Sequence, residues 1–65
     1  MTPEQKAAYI FAQSVAAMAE IEGMKATNLE RERHGDALAY DKMSFNNIPD
    51  EYGISHNAIL MLFRD

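Results

Sequence analysis

The feature that most constrains this chain lies in its first half. No proline occurs between Pro3 and Pro49, and the stretch up to Gly35 carries the start and stop signals of one helix. Thr2 is placed to cap, and Pro3 suits a first helical position, where a missing N–H costs nothing. Glu4 sits in the first turn, and Gln5 completes a Thr-x-x-Gln capping box. Arg31, Arg33 and His34 form a cationic last turn ahead of Gly35, which can adopt the left-handed conformation that ends helices. These signals predict helix 1 over about residues 3–34, roughly 48 Å long at 1.5 Å per residue. Gly23 is its weak point, at about 1 kcal/mol against alanine, and marks a place for a bend or a close crossing.

Projected at about 100° per residue, Ala7, Ile10, Phe11, Ser14, Val15, Met18, Ile21 and Leu29 gather on one broad face, with Ala17 and Met24 on one flank. Ala8, Ala12, Ala19 and Ala26 form the other flank, where small side chains let a second helix approach. Gln13, Glu20 and Arg31 lie opposite. After Gly35 the segment Asp36–Tyr40 reads as a connector whose Leu38 and Tyr40 tuck against helix 1. Asp41 caps helix 2, over about residues 42–52, with Met43, Phe45 and Ile48 as its apolar positions. Pro49 breaks or kinks it, because its ring clashes with the preceding turn and it lacks a donor. Gly53 stops it, and Ser55 caps helix 3, over about residues 55–64. The expected fold is all-α: one domain with a long N-terminal helix packed against two short C-terminal helices arranged like a helix-turn-helix pair, and oligomeric.

The chain has 65 residues, no cysteine and a formal charge of −4. A chain this short has a marginal core, and without cysteine neither disulfides nor thiolate metal sites can staple it. Regular helix packing or oligomerisation must therefore supply stability. His34 and His56 have no second-ligand spacing, and the three glycines are dispersed, so no phosphate loop is present. Ser55 lacks a nucleophile-elbow context, and Asp50, Glu51 and His56 read as capping or surface groups. No catalytic residue, cofactor or metal is expected, and the chain reads as a non-enzyme. Its apolar start lacks a cationic leader and carries Gln13. No apolar run approaches the ~20 residues of a membrane span, so a cytoplasmic location is expected.

The stretch from Ile48 to Leu62 poses the sharpest alternative. With Gly53 as the turn glycine, Ile48, Tyr52, Ile54, Ile59 and Leu62 fall where a helix-turn-helix locks its two helices. His56, Asn57 and Arg64 would then read DNA. Charge argues against this. From Gly35 onward, Lys42 and Arg64 stand against Asp36, Asp41, Asp50, Glu51 and Asp65, two cations minus five anions, net −3. Phosphate backbones repel such a segment. Leu60 and Met61 suit a protein contact better than a groove.

Three segments carry a resemblance: Thr2–Gln13, Glu22–Asn28 and Tyr52–Ala58. They look like segments of short accessory proteins of tailed phages and prophages. That resemblance implies no catalytic residue. It implies a class of job, in which a small acidic protein in the bacterial host cell occupies and inhibits or modulates another protein, including components of anti-phage defence. The physical motive is independent of it. A long helix carries more apolar surface than two short ones can cover, which predicts a homodimer or higher homo-oligomer and a protein partner. The expected contact residues are Phe11, Val15, Met18, Leu60, Met61 and Phe63. A structural accessory of a larger complex is a further alternative.

Overall fold

The computed structural model describes residues 1–64, and three quarters of them are helical, with no strand among them. Helix α1 spans Pro3–Arg33. Its start is a closed capping box: the Gln5 amide donates to Thr2 Oγ1 at 3.1 Å, and the Thr2 amide donates to Gln5 Oε1 at 2.9 Å. Its end is a Schellman motif. Gly35 takes φ +74°, its amide donates to the Glu32 carbonyl, and the Asp36 amide donates to the Arg31 carbonyl at 2.9 Å. Between these ends the helix is continuous through Gly23, where an added Cβ would point into open space.

The connector is held by one side chain. Asn28 Nδ2 donates to the Tyr40 carbonyl at 2.9 Å, while Asn28 Oδ1 accepts from the Ala39 and Tyr40 amides at 3.1 and 3.0 Å. Three backbone groups that helix and sheet ladders leave unpaired are thereby satisfied. Asp41 then caps α2 (Lys42–Asn46), its Oδ1 accepting from the Ser44 amide and hydroxyl. Those bonds favour the ionised carboxylate and hold Asp41 below its ordinary range, the Ser44 amide contributing most.

Pro49 has no N–H to offer the Phe45 carbonyl four residues back, so the helix divides at Asn47 and restarts as α3 (Ile48–Glu51). A second Schellman motif ends α3. Gly53 takes φ +66°, its amide donates to the Asp50 carbonyl, and the Ile54 amide donates to the Pro49 carbonyl at 2.9 Å. Ser55 Oγ accepts from the Ala58 amide and opens α4 (His56–Phe63).

These pieces close on a small core. Ala17 and Met24 of α1 and Ile48 of α3 are buried at 4, 5 and 2% exposure, with Ile21, Tyr40, Phe45, Tyr52 and Ile54 packed around them. Gln13 Nε2 donates to the Tyr52 carbonyl at 3.1 Å. The neighbouring Glu20 carboxylate, together with burial, holds the Tyr52 phenol above its ordinary value. The molecule is a bar of 50 × 17 × 10 Å, two helices wide and one thick.

The core takes one edge of the broad apolar face of α1 together with its Ala17 and Met24 flank. This buried strip runs through Ile10, Gln13, Ser14, Ala17, Ile21, Met24 and Asn28, its centre rotated by roughly 80° from that of the broad face. Phe11, Val15, Met18 and Leu29 stay exposed, and Gln13, expected to point away, is half-buried. The reason is fit. Ala17 is small enough to let α3 approach, whereas Phe11 and Met18 would hold it off. Gln13 and Asn28 bracket the same face and reach the two carbonyls that need donors. Two smaller expectations also fail. Leu38 stays exposed while Tyr40 alone tucks in, because Asn28 grips the backbone at Ala39 and Tyr40. Met43 faces water because the kink at Asn47 turns Phe45 and Ile48 inward.

Candidate docking surface

The chain exposes 5113 Å². A compact protein of 7.3 kDa exposes about 4,200 Å² and buries about 60% of its unfolded surface. This one buries about half on the same scale. Large apolar side chains stand exposed in two places. On α1, Phe11 is 72% and Met18 65% exposed, with Val15 and Leu29 about half exposed beside them. On α4, Ala58, Ile59 and Leu62 turn inward, while Leu60 and Met61 face water, Met61 at 69%. Phe63 is partly exposed, with the Lys6 ammonium 5.7 Å from its ring centroid. That distance allows a weak cation–π contact that ties the end of α4 to the start of α1.

All six residues expected to form a protein contact are therefore accessible. Leu29, on the same broad apolar face but not among the expected contact residues, is exposed beside them. Its spacing from Phe11, Val15 and Met18 was the available signal. Near it lies an open depression of about 420 Å³, lined by Ala26, Leu29, Glu30, Arg33 and His34. A second of about 340 Å³ shares Glu30 and His34 and is lined by more polar groups. Both are open hollows on the outer surface of the α1 end, shaped to receive a side chain and too shallow to enclose a substrate.

His56, Asn57 and Arg64 are exposed at the two ends of α4. Among the described residues from Gly35 onward only Lys42 and Arg64 are cationic, and Lys6 of α1 lies over the ring of Phe63, the neighbour of Arg64. The one ion pair among the described residues joins Lys25 and Glu22 of α1 at 3.1 Å, on the surface. No group of three His, Asp or Glu able to hold a metal occurs among the described residues, and no helix is long and apolar enough to cross a membrane.

Compared with protein-family models, with curated proteins and with solved structures, the chain matches none.

Proposed function

We propose that this protein is a non-catalytic docking module that binds another protein and inhibits or modulates it. The observation that carries this reading is the pair of exposed apolar groups, Phe11, Val15 and Met18 on α1 and Leu60, Met61 and Phe63 on α4. Apolar side chains kept in water on a rigid, capped frame cost stability and gain it back only when a partner covers them. The resemblance to phage accessory proteins adds the setting: a bacterial cell, with a host protein as target, such as a component of anti-phage defence. Tagged protein drawn through a bacterial lysate should retain one protein at near-equal stoichiometry, and Met61→Asp should lose it. Met61 lies outside the core, so its loss leaves the fold intact. Retention of nothing, or of the same set by both forms, refutes the reading.

A DNA-binding regulator is the second reading. The capped α4 after the Gly53 turn, with His56 and Asn57 exposed on its first turn, favours it. The acidic surroundings oppose it. Any duplex at low salt discriminates, since backbone attraction survives without the right sequence. Salt-sensitive binding would establish this reading over the first.

A further inference from the structure

We infer that the exposed stripe of α1 is the seam of an antiparallel homodimer. Phe11, Val15, Met18, Glu22, Lys25 and Leu29 follow one another at alternating spacings of four and three. That is the a/d repeat of a coiled coil. The row lies about 120° around α1 from the line through Ile10, Ala17 and Met24 that holds α3 and α4, so those helices leave it open.

The depression near the end of α1 identifies the occupant. Four of its lining residues, Ala26, Leu29, Glu30 and Arg33, stand at positions i, i+3, i+4 and i+7. The quartet has the spacing of a knob-accepting hole, with Leu29 from the row itself and Ala26, Glu30 and Arg33 beside it. The chain carries the matching knob, Phe11, at 72% exposure. Phe11 of a second, antiparallel copy seated in this hole sets the register. In that register Val15 of the second copy falls among Glu22, Lys25, Ala26 and Leu29. Met18 falls among Ala19, Glu22, Gly23 and Ala26, and Leu29 among Ala8, Phe11, Ala12 and Val15. One placement thus seats Met18 beside Ala19, Gly23 and Ala26, and gives Phe11, Val15 and Leu29 one or two alanines each beside larger neighbours.

Charge selects the orientation. A parallel pair would stack Glu4, Glu22, Lys25 and Arg33 each on its own copy. The antiparallel pair separates Glu4, Lys25 and Arg33 from their own copies, leaves the two Glu22 about one helical turn apart, brings Arg33 equally near Glu4 of the second copy, and opposes the helix dipoles. Area agrees as well. The surface in excess of a compact monomer is about 900 Å², close to the ~800 Å² each partner gives to a standard interface. Leu60 and Met61 take no part in the seam and remain for another protein.

The test is the mass of the full chain by sedimentation at roughly 10–100 μM, a range that populates interfaces of ordinary affinity. The expected mass is twice 7.3 kDa. Phe11→Asp should weaken association on the order of 100-fold, since the change enters both ends of a symmetric seam. Orientation is read by cross-linking, which the absence of native cysteine makes clean. A mixture of Ala8→Cys and Arg33→Cys chains should form a disulfide that neither forms alone. A mass of 7.3 kDa throughout, an association indifferent to Phe11→Asp, or self-cross-linking of Ala8→Cys each overturns the dimer. So does a monomer whose partner capture depends on Phe11, which would assign the stripe to a different protein. Met61→Asp should leave the mass unchanged, so failure of the dimer and failure of the docking function are read separately.

Discussion

Ile48 offers the most direct test of how this fold is held. It is the most buried side chain described, at 2% exposure, and it joins α3 to Ala17 and Met24 of α1. Ile48→Ala removes three carbons. At about 0.8 kcal/mol each, the transfer loss is roughly 2.4 kcal/mol. A cavity adds to this, but a bar one helix thick can collapse into the gap, so the total should stay near the lower end of the 2–5 kcal/mol range, about 3 kcal/mol. A chain of this length has only about 3–10 kcal/mol of stability in all. The loss therefore removes a third or more of it. With a slope of about 1 kcal/mol per molar urea, the midpoint should fall by about 3 M. The assay is urea unfolding followed by helical circular dichroism, at one fixed protein concentration because association shifts apparent stability. Met43→Ala, at an exposed position on α2, is the control and should shift the midpoint by less than about 0.5 M. Equal midpoints for the two variants would show that the short helices do not dock on α1 through this core.

Further outcomes follow from the backbone fixtures. Asn28→Ala should cost about 2 kcal/mol by orphaning three backbone groups, and Asn28→Asp, which keeps the acceptor and loses the donor to Tyr40, should cost less; chemical unfolding ranks them. At protein concentrations low enough to keep the chain monomeric, Gly23→Ala should stabilise by about 1 kcal/mol, because the site is helical and open within the chain and alanine gains in propensity; a lower midpoint would reveal a close contact at that position. Asp41 has a depressed folded pKa, so its contribution is present above the unfolded value of 3.8 and is lost as pH falls through the folded value. The difference in melting temperature between the native chain and Asp41→Asn should therefore narrow below about pH 4, and a gap constant with pH would contradict the cap.

How much of this was legible without coordinates depends on how local each decision is. The capping box at Thr2, the glycine stops at 35 and 53, the Asp41 and Ser55 caps and the break before Pro49 all rest on bonds within a few residues. Residue type alone signals them, and the chain folds locally as its sequence directs. The side of α1 that meets its companions is a different kind of question. Hydrophobicity marked one broad face with Ala17 and Met24 on its flank, and the core formed on that flank and the adjoining edge. Packing rewards complementary volume and satisfied carbonyls, and both depend on what residues 40–62 bring against the helix. Gln13 and Asn28 look like ordinary surface polar groups until the carbonyls of Tyr52 and Tyr40 lie opposite them. The hollow lined by Ala26, Leu29, Glu30 and Arg33 likewise had a readable spacing but no visible depth. Residue order determined which segments are helical and where each begins and ends, because those bonds close within a turn. Tertiary structure alone decided which part of the apolar surface of α1 was buried and which was left exposed, because that choice balances shapes contributed by opposite ends of the chain.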